Sequence, residues 1–151
     1  MFGTKAEGDT LEAPYVMEYT YRRSLGPVMS AFFTGLREGR LSGARTASGD
    51  VVVPPLEWDP ATGEPIAELV PLPDTGELVT WCWISEVEPR HPLQEPFAWA
   101  LIKPDGATTA MLHALRVDPE ALRPGLRVKA VWAAERTGTL RDIVCFEQEG
   151  A

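Results

Sequence analysis

The chain has 151 residues, of which 44% are hydrophobic and 24% charged, as expected for one compact domain with a short appendage. Its formal net charge is −8, and its Lys and Arg residues are scattered. Because nucleic-acid binding gains most of its affinity from neutralised phosphates, this charge disfavours a nucleic-acid partner. No run approaches the ~18 apolar residues of a membrane span, and no secretory-type leader opens the chain, so a cytoplasmic protein without membrane contact is predicted.

Residues 1–18 have no hydrophobic period and are predicted to form a flexible tail. Over residues 19–40, apolar side chains recur at three- and four-residue steps, which predicts an N-terminal helix with one apolar stripe. Gly26 and Pro27 interrupt this pattern, so the regular helix is expected to begin near Pro27. The stripe could pack on its own domain or on a partner, and both remain open here. The candidates for a partner interface are Val28, Phe32, Phe33 and Leu36.

Residues 41–65 contain two turn-forming segments around one short extended run. Residues 46–50 (T-A-S-G-D) and 59–63 (D-P-A-T-G) have the composition of tight turns. Residues 51–55 (V-V-V-P-P) are expected to be extended, because a residue that precedes proline is driven towards β geometry. Two such turns on a short hairpin are typical of a zinc ribbon, here without its cysteines. A degenerate, metal-free ribbon is therefore predicted over residues 41–65.

From residue 66 onward the pattern predicts only short strands separated by turns. The expected strands cover residues 66–72, 77–87, 97–103, 108–115, 127–134 and 142–147. Asp118 followed by Pro119 is typical of a capped helical turn. Short strands with a small helix before the penultimate one predict an OB-fold barrel over residues 66–151. The fold class is therefore mainly β, an OB-fold barrel preceded by a helix and a ribbon.

No combination of residues with catalytic or metal-binding spacing is present. The only histidines are His91, in a proline-rich loop, and His113, which is interpreted as structural. There is no C-x-x-C, G-x-S-x-G, P-loop or G-x-G-x-x-G motif, so no catalytic residue and no metal site is predicted. Trp81, Trp83 and Trp99 lie on neighbouring predicted strands. An OB-fold face can stack a base on such side chains, although core or interface positions are the alternative.

In their order and spacing, several segments resemble the thiolase-associated accessory proteins, a family first catalogued as a domain of unknown function. The family combines an N-terminal helix, a rubredoxin-like zinc ribbon and a C-terminal OB fold. The matching segments are residues 33–41 (F-T-G-L-R-E-G-R-L), 53–55 (V-P-P), 72–76 (L-P-D-T-G), 79–81 (V-T-W), 96–102 (P-F-A-W-A-L-I), 105–106 (D-G), 117–122 (V-D-P-E-A-L) and 124–128 (P-G-L-R-V).

The ribbon departs from the family pattern of two C-x-x-C pairs. Asp59 and Thr62 stand where the second pair would be, and residues 46–50 form a shortened first turn. One carboxylate cannot replace four thiolates, so zinc binding is not expected. Side-chain packing, rather than a zinc ion, is expected to stabilise the ribbon. Trp58 is the candidate for this packing, because an aromatic ring buries ~150–250 Å².

The resemblance implies a partnership rather than an activity of this chain alone. It implies a non-catalytic accessory subunit of a thiolase-like aldolase or acyltransferase that acts on acyl-CoA thioesters. Of these enzymes, the resemblance favours a retro-aldolase of steroid side-chain degradation. It further implies an α2β2 heterotetramer, with an enoyl-CoA hydratase as another candidate partner. No cofactor is expected on this chain, and Trp81, Trp83 and Trp99 are the candidates for a side that faces acyl-CoA. The alternative is an independent OB-fold module that binds single-stranded nucleic acid or a small ligand.

Overall fold

A computed structural model describes residues 15–150 of the chain. These residues form one helix and two sheets, which confirms the mainly β prediction. The elements are α1 (Pro27–Arg37), β1 (Leu41–Arg45), β2 (Val51–Val52), β3 (Leu69–Leu72), β4 (Thr75–Ile84), β5 (Phe97–Pro104), β6 (Met111–Arg116), β7 (Arg127–Trp132) and β8 (Ile143–Gln148). Two short 3-10 turns, Pro119–Ala121 and Leu140–Asp142, precede β7 and β8. Among the described residues, no helix is long and apolar enough to cross a membrane.

Helix α1 is shorter than the stretch 19–40 that the apolar spacing predicted. Residues 19–26 have no regular secondary structure, because Pro27 occupies the first helical position and cannot continue a helix from the preceding turn. Glu57 caps the start of the helix: its carboxylate accepts hydrogen bonds from the backbone N–H groups of Val28 (3.3 Å) and Met29 (2.8 Å). Of the predicted tail 1–18, residues 1–14 lie outside the described residues.

The smaller sheet has the strand order β2-β1-β3, with antiparallel pairing throughout. The sequence placed the strand at 66–72 in the barrel, but β3 pairs with β1 instead. Pro71 explains the difference, because it has no N–H to donate and therefore fits only a strand with one unpaired side. An edge strand of the small sheet offers that side, whereas every strand of a closed barrel is paired on both sides.

The larger sheet closes into a barrel with the order β4-β5-β6-β8-β7, in which β7 pairs back to β4. All pairings are antiparallel except that of β6 with β8, which covers only Leu115 with Phe146 and Arg116 with Glu147. This order, with the helical turn at Pro119–Ala121, is that of the OB fold. The Asp118 side chain accepts from the Glu120 N–H, as predicted for a capped turn.

Helix, small sheet and barrel share one hydrophobic core. Phe32 and Leu36 of α1 are fully buried in it, together with barrel residues such as Ile102 and Phe146. Val28 is buried as well, and Phe33 is half-buried against the same core. This corrects the expectation that the stripe contacts a partner: Val28, Phe32 and Leu36 have almost no surface left, because the chain's own domain covers them.

The loop between β5 and β6 fixes the small sheet to the barrel. The Thr108 hydroxyl accepts from the Val51 N–H at 3.0 Å, and the Thr109 hydroxyl accepts from the Val53 N–H at 2.8 Å. The Thr108 N–H also donates to the Val51 carbonyl at 2.8 Å. Since these bonds satisfy backbone groups of Val51 in β2 and of Val53 just after it, the loop between β5 and β6 acts as a continuation of the small sheet.

Candidate functional site

The three candidate tryptophans do not lie on one face of the barrel. Trp81 and Trp83 pair across the sheet with Ala100 and Ala98, which are buried inside the barrel. Since directly opposed residues of antiparallel strands point to the same side, both tryptophans belong to the inner face, where they pack half-buried on the main core. Trp99 is one position out of phase and belongs to the outer face. The prediction that Trp81, Trp83 and Trp99 form one side of the barrel facing acyl-CoA is therefore wrong.

A cleft of about 570 Å³ lies on the outer face of the barrel, beside Trp99. It is bounded by the loop that follows β4 and by the turn Leu140–Asp142 that precedes β8. Its lining residues are Pro89, Arg90, His91, Pro92, Trp99, Leu112, His113, Leu140, Arg141, Ile143 and Val144. A concave, mostly apolar site with a few polar groups is the usual form of a ligand site.

The loop wall of the cleft is held by a second, smaller core outside the barrel. Leu93 and Phe97 are buried there, and the Phe97 ring contacts the rings of Trp99 and His91 edge to face, with centroids 5.3 and 5.4 Å apart. The Glu88 N–H donates to His91 Nδ1 at 3.0 Å. These contacts make the cleft a pre-formed feature, since its loop wall packs on the barrel.

His113 closes the back of the cleft, where β6 and β8 diverge from their short parallel pairing. Its Nδ1 accepts from the Ala114 N–H at 2.9 Å, so Nε2 carries the proton and donates to the Leu140 carbonyl at 3.2 Å. The ring also contacts Phe146 edge to face at 5.5 Å. Burial lowers the pKa of His113, although both backbone contacts oppose the shift. His113 is therefore a structural residue, as the sequence predicted, and its lowered pKa favours the neutral ring.

Two arginines give the rim of the cleft its charge. Arg90 and Arg141 are exposed, and among the described residues neither guanidinium forms an ion pair with a carboxylate. Guanidinium groups bind phosphate and carboxylate oxygens in bidentate fashion. An apolar floor below these two cations fits a ligand with a flat or aliphatic body and an anionic end.

Sequence reasoning missed the apolar character of this outer face. Leu101 and Leu112 oppose each other on β5 and β6 and are 37% and 59% exposed. Both occupy outward positions, at which a solvent-facing sheet normally carries polar side chains. An apolar residue at an outward position of two adjacent strands is a signal that the sequence already contained. The other half of the cleft, at Leu140 and Arg141, is distant in sequence and carried no such signal.

The ribbon contains a carboxylate, Asp59, at a position where the resemblance implies a metal ligand. Asp59 is buried, and its two oxygens accept N–H bonds from both turns: Oδ2 from Ala47 at 2.8 Å, Oδ1 from Ala61 at 2.8 Å and from Thr62 at 3.3 Å. Trp58 was predicted to hold the ribbon together by packing. This prediction is wrong, because the side chain is 61% exposed. Within residues 15–150, no group of three or more His, Cys, Asp and Glu side chains could hold a metal ion.

Comparisons with known proteins support the resemblance noted in the sequence. The family model described as ChsH2, C-terminal OB-fold domain matches residues 69–133. The chain is similar to a structure of the "Ltp2-ChsH2(DUF35) aldolase", at 18% identity and a TM-score of 0.60, covering 84% of this chain and 98% of that one. It is also similar to a DUF35-family protein of unknown function from Sulfolobus solfataricus, at 19% identity and a TM-score of 0.58, covering 71% of this chain and 77% of that one. No curated protein matches.

Proposed function

Residues 69–133 match the family model of the ChsH2 C-terminal OB-fold domain, and from this match we propose that the chain is a non-catalytic accessory subunit of a thiolase-like enzyme. The observation that carries the proposal is the fold match to a chain of the "Ltp2-ChsH2(DUF35) aldolase", which extends over 98% of that chain. The match thus includes more than the barrel. A protein that shares the entire arrangement is suited to the same kind of assembly.

The finer proposal concerns the reaction and the assembly. We propose that the complex is a carbon–carbon lyase that cleaves a β-hydroxyacyl-CoA. The favoured substrate is a CoA thioester of a steroid side chain. Two observations support it: the similar structure is that of an aldolase, and the sequence resembles the thiolase-associated family. An α2β2 heterotetramer follows if the larger subunit is a two-fold dimer. A cytoplasmic location and an enoyl-CoA hydratase as a further partner stay predictions.

We propose that the outer cleft, rather than all three tryptophans, faces the acyl-CoA. Trp99 supplies a half-buried aromatic surface, and Arg90 and Arg141 supply two cations at the rim. A CoA thioester combines an adenine ring, which can stack on an indole, with phosphates, which guanidinium groups bind. Trp81 and Trp83 face the core of the barrel and are not part of this proposal.

The test is reconstitution with a thiolase-like protein encoded beside this chain. We expect a stable complex that converts a β-hydroxyacyl-CoA to a carbonyl product and a shorter acyl-CoA, whereas neither chain does so alone. Turnover by the isolated chain would contradict the proposal. If instead no complex forms and the chain binds a labelled oligonucleotide tightly at low salt, the alternative of an independent OB module is supported.

The cleft is tested within that complex by a matched pair of tryptophan variants. Trp99→Ala removes the stacking surface, and Trp58→Ala removes an equally large exposed side chain from the ribbon. We expect Trp99→Ala to raise KM about tenfold with kcat little changed, since one base–aromatic stacking contact contributes about 1–3 kcal/mol. Trp58→Ala should leave both constants unchanged. Equal effects of the two variants would place the CoA elsewhere.

A further inference from the structure

The segment before α1, residues 15–25, exposes large apolar side chains that no described part of the chain covers. We call this segment the arm. Tyr15, Met17, Tyr19 and Tyr21 are between 58% and 80% exposed. The arm has no regular secondary structure, and its backbone groups form no hydrogen bond to the backbone of another described residue. A contiguous exposed apolar segment of this kind marks an interaction site.

The arm has the pattern of a β-strand. Tyr15, Met17, Tyr19 and Tyr21 occupy every second position. Glu18, Thr20 and Arg22 alternate with the last three, and the exposed Val16 is the one apolar residue of the alternate set. A period of two places the apolar set on one side of an extended chain, and Tyr, Thr and Val favour strands. The Tyr19 hydroxyl donates to Met17 Sδ at 2.7 Å, which places these two alternate side chains on the same side.

The described part of the chain has no sheet edge that matches the arm. The barrel is closed, and the small sheet has as its outer strands β2, with two residues, and β3, with four. The alternation of the arm extends over residues 15–21 and is longer than either. A second copy would offer the same short edges. Two arms paired with each other would make only a two-stranded ribbon, which is marginally stable in water.

We propose that the arm adds as a β-strand to a free sheet edge of the larger subunit, with the Tyr15–Met17–Tyr19–Tyr21 side packed on that subunit and the opposite side in solvent. Strand addition gains affinity from main-chain hydrogen bonds and specificity from alternate side chains, both of which the arm carries. The inference rests on the proposed function, because the larger subunit is the partner.

The base of the arm is fixed, so the arm leaves the domain at a defined point. Pro27 begins α1 there, and the Glu57 carboxylate binds the N–H groups of Val28 and Met29. A Cβ on Gly26 would lie 2.1 Å from the Glu57 carboxyl carbon, so the residue that joins the arm to α1 lies close against this cap. An anchored base lowers the conformational entropy that the arm loses on binding.

Amide-resolved hydrogen exchange of the labelled chain, alone and in the reconstituted complex, tests the inference. Because every second N–H of an edge-paired strand points at its partner, we expect alternate amides of residues 16–22 to slow at least tenfold in the complex. Protection of consecutive amides or of none would overturn the inference, while the complex itself would still support the proposed function. Protection of the chain alone that grows with its concentration would identify a second copy instead. If no complex forms, both proposals fall.

Side-chain variants give an independent readout. The double variant Tyr19→Ser/Tyr21→Ser removes two residues from the apolar side, and Glu18→Ser/Thr20→Ser changes the opposite side. We expect the first to weaken the affinity for the larger subunit at least tenfold and the second to change it less than twofold. Neither should alter the melting temperature of the isolated chain, because the arm makes no core contact. Equal losses of affinity from both variants would overturn strand addition.

Discussion

The Asp59 carboxylate accepts the Ala47 N–H at 2.8 Å and thereby joins the two turns of the ribbon. The second oxygen accepts from Ala61 and Thr62 in the other turn. In ribbons with two C-x-x-C pairs, a zinc ion makes the corresponding connection between the turns. Here one buried anion with three amide donors replaces four thiolates and a cation. The donors offset the cost of burying the charge, since hydrogen bonds to an ionised group are stronger than neutral ones.

Removing this carboxylate should loosen the ribbon. For Asp59→Ala we expect a melting temperature lower by on the order of 5 °C, because three amides lose their acceptor inside the protein. Asp59→Asn keeps one acceptor oxygen and should lose less. Glu64→Gln, an exposed change directly after the second turn, is the control and should leave the melting temperature unchanged. If Asp59→Ala melts like the control, packing alone holds the turns.

The same contact should be visible in the pH dependence of stability. The Ala47 and Ala61 amides lower the pKa of Asp59 below 3.8, with a smaller contribution from Thr62 and an opposing one from burial. A lowered pKa in the folded state stabilises the protein above the unfolded pKa, and this stabilisation is lost as the pH falls through the folded value. We therefore expect the stability difference between wild type and Asp59→Asn to be constant above about pH 5 and to shrink below about pH 4. Urea unfolding at a series of pH values measures it.

Chelation should leave the ribbon intact. We expect the same melting temperature with and without EDTA, because amide donors on one carboxylate, rather than metal ligands, connect the turns. Calorimetry of the dialysed protein, with metal analysis of the same sample, makes this measurement. A stoichiometric zinc ion, or a melting temperature that falls on chelation, would refute this account of the ribbon.

Local sequence signals predicted where the strands of the barrel lie, but not which side chains point into the barrel and which point outward. Alternation and turn residues are local, so the positions of β4 to β8 followed from them. A β-bulge between Leu78 and Thr80 then changes the phase of β4, so Val79 is exposed while Trp81 and Trp83 turn inward. A bulge depends on the neighbouring strand, and a single sequence does not reveal it.

The cleft and the caps depend on contacts between distant segments. Glu57 caps a helix that begins about thirty residues earlier, and the Leu140–Asp142 turn faces a loop that ends near residue 96. No local pattern predicts such pairs, since each side has the composition of an ordinary turn. Asp59 is the exception: its position at the missing cysteine pair was noted in the sequence, although its role as a hydrogen-bond acceptor was not.

His113 should make stability depend on pH in a different range. Burial lowers its pKa below 6.5, so the folded state favours the neutral ring. The resulting stabilisation is complete above pH 6.5 and is lost as the pH falls from there towards the folded pKa. We expect wild-type stability to decline as the pH falls below about 7 and His113→Phe to lose this decline. At about pH 8 the variant should be less stable by about 1–3 kcal/mol, because the Leu140 carbonyl and the Ala114 N–H lose their partner. If the stability of His113→Phe declines with falling pH as steeply as that of wild type, a group other than His113 causes the decline.

Phe32 tests whether the apolar stripe of α1 belongs to the chain's own core. The side chain is fully buried among helix, small sheet and barrel, so Phe32→Ala should cost about 3–5 kcal/mol in the free energy of unfolding of the isolated chain. Leu25→Ala removes a half-exposed side chain from the predicted helical stretch 19–40, just before α1, and should change that free energy by less than about 0.5 kcal/mol. Urea unfolding of both variants measures the contrast. If Phe32→Ala instead unfolds like wild type but loses its partner, the helix face is an interface and its position in the core is wrong.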